Sequence, residues 1–165
     1  MKDNEPRVPA GFAVTPFDRA CLPEALRIEA GSFSEPWSLA TFEALFFPPT
    51  PTAVTLAAVT GEGKLAAYAG AQVLFDEAEI LNIAVAPEYR RRGLARALMT
   101  ALDRAFVQRG VSRAYLEVRR SNLPAHTLYL SLGYREIGVR RNYYTSPVED
   151  AIVMVKEYEE GCFGC

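Results

Sequence analysis

The segment that most constrains the fold is a strand, an arginine-rich turn and a helix in direct succession. Residues 79–85 are rich in β-forming side chains and end at Ala86-Pro87. Beyond Gly93, apolar residues recur with helical spacing as far as Arg109, and Gly110 is suited to end a helix. The apolar positions are Leu94, Leu98, Ala101, Leu102, Ala105 and Phe106. A strand that leads into a helix in this way indicates a chain of mixed α/β type.

The flanking sequence predicts further strands and helices. Two strands joined by Gly61-Glu62-Gly63 are typical of a hairpin, and Ser38 is suited to cap a helix that runs to Phe46. The predicted strands are 12–14, 53–59, 65–75, 79–85, 114–118, 134–141 and 151–157, and the predicted helices are 23–30, 38–46, 94–109 and 123–132. We therefore expect an α/β (α+β) domain over 1–165, with about seven strands and with flexible termini at 1–11 and 159–165.

Composition narrows the class of protein. A chain of 165 residues, half of them apolar, can bury roughly 70% of its unfolded surface in one core. A net charge of −2 does not fit a protein that mainly binds nucleic acid. The longest apolar run, 65–75, is too short to span a bilayer, and no signal peptide precedes it. We expect a cytoplasmic protein that contacts neither membrane nor nucleic acid.

The cysteines do not predict a disulfide framework or a metal site. Three cysteines are too few for such a framework, and the C-x-x-C formed by Cys162 and Cys165 supplies two ligands where structural zinc takes four. We expect incidental cysteines in a frayed tail and no bound metal.

The turn before the long helix concentrates positive charge where the helix dipole is already positive. Its arginines are Arg90, Arg91, Arg92 and Arg96. A bound anion, held by backbone N–H groups and guanidinium groups, would explain this arrangement. Gly93 and Ala95 are small, which would let the backbone approach such a ligand closely. By charge pattern alone, a solvated basic helix start explains the cluster equally well.

A carboxylate and a phenol follow further along the chain. Strand alternation separates Glu117 from Leu116 and Val118, and the helical spacing from Asn122 to Tyr129 returns Tyr129 to nearly the same face. Glu117 and Tyr129 are therefore expected to line one cleft, as a proton acceptor and a proton donor. Taken singly, a strand glutamate is usually solvated and a helical tyrosine is usually part of the core.

These residues carry a family resemblance. Arg90-x-x-Gly93-x-Ala95, placed between a strand and a helix, resembles the pyrophosphate-binding signature of the GNAT superfamily of N-acetyltransferases. Over about 33–155 the chain is similar to the RimI family within it. The matching stretches are 82–87, 116–122 and 128–134, with Pro36-Trp37-Ser38 and Arg140-Arg141-Asn142-Tyr143-Tyr144.

The resemblance implies a mostly antiparallel sheet splayed at an acetyl-CoA site, and it assigns roles to the motif residues. Ile83, Ala84 and Val85 would bind acetyl-CoA as a strand-like partner, and Asn122 would contact coenzyme A. Glu117 would be the base and Tyr129 the acid. The pyrophosphate would be held by Arg90, Arg91, Arg92, Gly93, Leu94, Ala95 and Arg96. The acceptor would be received by Trp37, Tyr143 and Tyr144.

The resemblance further implies that the acceptor is the N-terminal alanine of a small-subunit ribosomal protein, modified by direct transfer. The cysteines lie outside the motif region, so a covalent acyl-enzyme is not expected. A small-molecule amine, a lysine side chain, or a non-catalytic acetyl-CoA-binding role remain alternatives.

Several side chains are left with two interpretations. Trp37 is expected to be partly core, and only one of Tyr143 and Tyr144 is expected to face a peptide, because neighbouring strand residues point in opposite directions. His126, the single histidine, is expected to be an exposed helix residue. We expect a monomer or weak dimer.

Overall fold

A computed structural model describes residues 7–159. The strands are β1 (Phe12–Pro16), β2 (Ala53–Thr60), β3 (Leu65–Leu74), β4 (Glu77–Val85), β5 (Arg113–Arg119), β6 (Arg135–Thr145) and β7 (Val148–Glu157). The α-helices are α1 (Leu22–Ser32), α2 (Leu39–Phe46), α3 (Leu94–Gln108) and α4 (Leu123–Ser131). Within the described residues the seven strands form one sheet in the order β1-β2-β3-β4-β5-β7-β6, and only β4 and β5 run parallel. The predicted mixed, mostly antiparallel sheet is confirmed.

Several helices begin or end where local sequence signals predict. The Ser38 side chain accepts a hydrogen bond from the Thr41 N–H at 3.2 Å and so caps α2. Gly110 and Gly133 adopt φ of 73° and 95°, each one residue beyond the C-cap of α3 or α4. These left-handed conformations favour glycine, which explains why both helices end there.

Two apolar layers cover the central strands. Helix α3 packs on one face, where its buried Leu98, Met99, Leu102 and Phe106 meet the small residues of β3. Helices α1 and α2 cover the other face with an aromatic cluster that includes Phe17, Phe42, Phe46 and Tyr68. The Phe46 ring lies directly over Gly70, because a Cβ built there would sit 2.1 Å from Phe46 Cε1.

The sheet opens between its two parallel strands. Strand β4 pairs with β5 only through Glu77, Ala78 and Glu79. From Ile80 onward, no other strand within residues 7–159 pairs with that edge of β4. On its other edge β4 follows β3, with a register shift that leaves Leu81 without a partner residue. The bulge and the separation of β4 from β5 produce the splayed cleft that the family resemblance implies.

The last hairpin is longer than the sequence predicts. The prediction has strands that end at 141 and begin at 151, but β6 and β7 continue to Thr145 and from Val148. The register is irregular between Arg140 and Tyr144, and Asn142 adopts φ of 51° there while its N–H donates to Asp150 Oδ1 at 2.9 Å. A bulge therefore accommodates a polar stretch that is typical of a loop.

The two ends of the expected domain are described only in part. The tail cysteines Cys162 and Cys165, and most of each terminus predicted to be flexible, lie outside the described residues. None of the helices within 7–159 has the length and apolar character that crossing a bilayer requires.

Candidate active site

A cavity of about 320 Å³ occupies the splay between β4 and β5. Its walls come from β4, β5, helices α1 and α4, the loop between α1 and α2, and the end of β6. The lining includes Glu29, Trp37, Asn82, Ile83, Glu117, Tyr129 and Tyr144. The structure thus brings the predicted carboxylate and phenol into one cleft.

Glu117 is held at the cavity by partners from the last hairpin. Its carboxylate forms an ion pair with Arg140, with Nε and Oε1 2.9 Å apart, and its side chain is 18% exposed. A hydrogen bond with the Glu117 carboxylate raises the pKa of Tyr143. Sequence patterns do not indicate Arg140 in this position, because the pair depends on how β6 and β7 are registered against β5.

Tyr129 is buried and keeps its proton. Only 6% of the residue is exposed. Burial, with a smaller contribution from Tyr144, raises the pKa of Tyr129 to about 12. The phenol therefore stays protonated at neutral pH and is available as a hydrogen donor.

The tyrosine pair departs from simple alternation. The rings of Tyr143 and Tyr144 contact each other edge to face with centroids 5.1 Å apart, because the bulge at Asn142 breaks the regular strand. Tyr144 lines the cavity, while Tyr143 lies outside it and is half-exposed. The Arg119 guanidinium lies 4.1 Å from the Tyr144 ring centroid, and burial raises the pKa of Tyr144 to about 12.

The arginine turn has the backbone geometry of an anion site. Arg91 and Gly93 adopt φ of 59° and 86°, and α3 begins without a side-chain cap, so the N–H groups of its first turn are not used by a capping side chain. A Cβ on Gly93 would meet Pro9 Cγ at an ordinary 3.7 Å. The φ of Gly93 therefore favours glycine by itself, and the close approach of this backbone to a ligand stays a prediction.

Three of the four arginine side chains are bonded to protein acceptors. Arg90 and Arg92 lie in the turn itself, and Arg96 lies in the first turn of α3. The bonds run from Arg90 to the Val85 carbonyl at 3.1 Å and Ser32 Oγ at 3.3 Å, from Arg92 to the Glu88 carbonyl at 3.3 Å, and from Arg96 to Ser131 Oγ at 2.9 Å. The turn thereby keeps its shape while concentrating positive charge beside α3.

Other predicted site residues border the same cleft. Ile83, Ala84 and Val85 lie on the part of β4 that has left β5. The Asn122 side chain caps α4 by accepting from the Ala125 N–H at 3.3 Å, and the residue lines the cavity. Trp37 is both core and wall, since it packs edge-on against Phe42 and Phe46 at 5.3 and 5.8 Å and faces the cavity.

His126 is less exposed than the sequence predicts. Its side chain is only 18% exposed and is paired with Glu136, so the expectation of an exposed residue is wrong. It is not among the residues that line the cavity. Pairing with β6 across the end of the sheet explains its partial burial.

Glu29 is a residue of the cavity wall that the sequence patterns were not used to predict. Glu29 on α1 is 1% exposed and lines the cavity. The signal was present, because Glu29 falls on the same helical stripe as the buried Leu22 and Ala25. A charged residue among the apolar residues of one helix face indicates that it has specific hydrogen-bonding partners in the interior.

No grouping suited to a metal ion is found within residues 7–159, where three or more His, Cys, Asp or Glu side chains nowhere come together in that way.

Comparison with known proteins agrees with this geometry. The model of the acetyltransferase (GNAT) family matches residues 22–134. The chain is 45% identical over 141 residues to the [ribosomal protein bS18]-alanine N-acetyltransferase of Escherichia coli K12, covering 81% of this chain and 88% of that protein. It is 40% identical over 129 residues to a putative enzyme of the same name from Bacillus subtilis, covering 77% and 83%.

A solved structure shows the same architecture. The crystal structure of the ribosomal-protein-S18-alanine N-acetyltransferase from E. coli superposes with a TM-score of 0.83 at 38% identity, covering 93% of this chain and 98% of that one. The chain belongs to the GNAT family of acetyltransferases.

Proposed function

We propose that this protein acetylates the α-amino group of an N-terminal alanine, and that its acceptor is ribosomal protein bS18. Family membership makes it an acetyl-CoA-dependent N-acetyltransferase, so the proposal concerns its acceptor and the residues that act. The observation that carries it is the meeting of Glu117 and Tyr129 in one cavity at the splay. The names of the bS18-alanine acetyltransferases that it resembles at 45% and 40% identity support the choice of acceptor.

The donor side of the cleft would be formed by β4 and the arginine turn. Acetyl-CoA supplies the acetyl group as a thioester. The free edge of β4 at Ile83, Ala84 and Val85 offers backbone groups to an extended arm. The uncapped first turn of α3 beside Gly93 offers N–H groups and positive charge to a pyrophosphate. The residues present therefore fit this cosubstrate.

Glu117 would act as the proton acceptor. An α-amino group has a pKa of roughly 8, so near neutral pH much of it is protonated and cannot attack a carbonyl carbon. A carboxylate at the cavity wall takes that proton, directly or through water, and frees the nitrogen lone pair. The new N–C bond then forms as the amine adds to the thioester carbon. Glu117 passes its proton to water, and the nitrogen gives up its second proton to Glu117 or to water, which leaves a neutral nitrogen that becomes the amide.

Tyr129 would assist departure of the sulfur. When the tetrahedral intermediate collapses, the C–S bond breaks and negative charge develops on sulfur. The phenol donates its hydroxyl hydrogen there, and water returns a proton to the phenolate because a pKa of about 12 lies far above neutral pH. No enzyme-bound acetyl group is formed.

The acceptor side would be walled by Trp37 and Tyr144. Both are aromatic and both line the cavity, Trp37 from the loop between α1 and α2 and Tyr144 from the end of β6. Such a wall suits a small apolar side chain next to a free amine. A ribosomal acceptor places the reaction in the cytoplasm.

The test is thiol release from acetyl-CoA with a peptide beginning Ala-Arg, followed by mass analysis of the product. We expect a single acetyl group on the α-nitrogen, and a fall of roughly 10²- to 10⁴-fold in kcat for Tyr129→Phe with acetyl-CoA binding retained.

Matched acceptors separate the alternatives. The same peptide with a blocked N-terminus should not react, and a blocked peptide that contains lysine reports on side-chain acetylation. Turnover of a small amine, but not of the peptide, would overturn the proposed acceptor. Binding of acetyl-CoA without turnover of any acceptor would overturn the catalytic roles of Glu117 and Tyr129.

A further inference from the structure

We infer that Glu29 is a positioning residue that ties the acceptor wall of the cleft to the splayed strand β4. Its carboxylate is buried at the cavity, with 1% of the residue exposed. It accepts hydrogen bonds from the Trp37 backbone N–H at 3.0 Å, from Asn82 Nδ2 at 2.9 Å and from the Tyr68 hydroxyl. One side chain of α1 thus joins the α1–α2 loop, β4 and β3.

The three partners of Glu29 require a hydrogen-bond acceptor at this position. Each of them donates a hydrogen, and a carboxylate is a side chain that accepts several bonds and donates none. Glu29 forms no ion pair with any of the residues that the structure describes. These three hydrogen bonds therefore satisfy the buried carboxyl group, and leaving such a polar group unpaired would be costly.

The bonded groups lie where the cleft takes its shape. Asn82 directly follows Leu81, the residue left unpaired at the bulge where β4 separates from β5. Trp37 is part of the acceptor wall and packs on Phe42 and Phe46. A shift at Glu29 would change the distance between wall and strand, and catalysis is sensitive to misplacement on the scale of 1 Å.

Replacement of Glu29 by glutamine keeps the size of the side chain but changes its ability to accept hydrogen bonds. Glutamine has nearly the same volume, but its amide must point N–H groups either at Asn82 and Tyr68 or at the Trp37 N–H. In either orientation a donor meets a donor. The reciprocal variant Glu29→Gln/Asn82→Asp returns an acceptor to the pair, because the amide introduced on α1 can then donate to the carboxylate introduced on β4.

The inference rests on the proposed function for the identity of the acceptor, but one readout is independent of it. Trp37 is the single tryptophan of the chain, so its fluorescence reports on the wall directly. Quenching by acrylamide measures how accessible the indole is, whether or not any peptide reacts.

We expect Glu29→Gln to raise quenching of Trp37 and to lower kcat/KM for the alanine-starting peptide roughly 10- to 100-fold, the effect of losing a hydrogen bond to a charged group. The affinity for acetyl-CoA should fall less than kcat/KM for the peptide, since the arginine turn is untouched and only the β4 part of the donor site adjoins Asn82. Glu29→Gln/Asn82→Asp should recover most of both losses. The control Glu43→Gln, which removes a surface carboxylate of α2 paired with Arg19, should behave as the unaltered protein.

Unchanged Trp37 quenching in Glu29→Gln, or failure of the reciprocal variant to restore it, would overturn the inference. An equal loss of acetyl-CoA and peptide affinity would also do so, by indicating general destabilisation. If Glu29→Gln does not fold, Asn82→Ala removes one donor and should show the same direction with a smaller size. Absence of peptide turnover by the unaltered protein would count against the proposed acceptor, and the quenching result would still decide the role of Glu29.

Discussion

Strands β3 and β6 are nearly equal in length, at 10 and 11 residues, but their surroundings are opposite. Strand β3 lies between α3 and the aromatic cluster and is buried along most of its length. Strand β6 is at the edge of the sheet and is exposed at every position except Tyr144, the residue that faces the cavity. We call the part of the sheet around β3 and β4 the covered side and the part formed by β6 the open side.

This difference in burial indicates that the covered side mainly supports the fold and that the open side mainly supplies the groups around the site. The covered side holds β4 in place and supplies the bulge at which the cleft begins. The open side supplies the groups that surround Glu117, since Arg140, Tyr143 and Tyr144 all belong to β6. Substitutions on the open side should change catalysis more than stability, and substitutions on the covered side should do the reverse.

The largest effect is expected for Glu117→Gln. The rate with peptide should fall roughly 10²- to 10⁴-fold near pH 6, where most of the amine is protonated and base assistance matters most. The loss should narrow toward pH 9, where free amine is abundant, while the unfolding midpoint stays close to that of the unaltered protein. The measurement is kcat/KM from pH 6 to 9. An equal loss at every pH would indicate that Glu117 positions the acceptor and does not accept its proton.

A substitution on the covered side should mainly affect folding. Gly70→Ala would place a Cβ against the Phe46 ring, which is fixed by Phe17, Phe42 and Tyr68 and cannot move aside freely. We expect a loss of roughly 1–3 kcal/mol in the free energy of unfolding, as is usual for overpacked cores. Denaturant unfolding measures it.

The matched control is the same substitution on the open side. At Gly138 of β6 a Cβ would meet no atom within 4 Å. Gly138→Ala should therefore leave the free energy of unfolding within about 0.5 kcal/mol of its original value. A large loss at Gly138, or none at Gly70, would contradict the division into covered and open sides.

The smallest effect is expected for Glu149 on β7. Hydrogen bonds from Ser121, with support from Arg119, lower the pKa of this carboxyl. A lowered pKa stabilises the fold above the ordinary carboxyl pKa of about 4.3, and this contribution disappears as the pH falls through the lowered value. Glu149→Gln should therefore melt slightly earlier at pH 7, and the difference in melting temperature should shrink as the pH falls below the ordinary carboxyl pKa. A difference that stays constant as the pH is lowered would assign it to packing.

Most of the fold could be predicted because its signals are local. The cap at Ser38, the terminal glycines of α3 and α4, and the periodicity of α3 depend on neighbouring residues. The predicted last hairpin is too short because Asn142 and Pro147 are typical of loops, while the actual bulge depends on pairing with Asp150 of the next strand.

The site could be predicted less completely, because its residues act through partners distant in sequence. Glu117 and Tyr129 follow from alternation and helical spacing, but the ion pair of Glu117 with Arg140 depends on register across three strands. Glu29 and Asn82 are 53 residues apart, and no local pattern connects them. Side chains that line a cavity together are specified by topology as much as by motif.

The splay between β4 and β5 also bears on solubility. An unpaired strand edge can recruit strands from other chains, and most proteins limit this hazard at the rim of a sheet. Here the free edge of β4 lies in the interior, inside a cavity of about 320 Å³ bounded by Trp37 and Tyr144. Such a space admits one extended ligand but not the flat side of a foreign sheet. Trp37 and Tyr144 therefore also shield this strand edge from pairing with another chain.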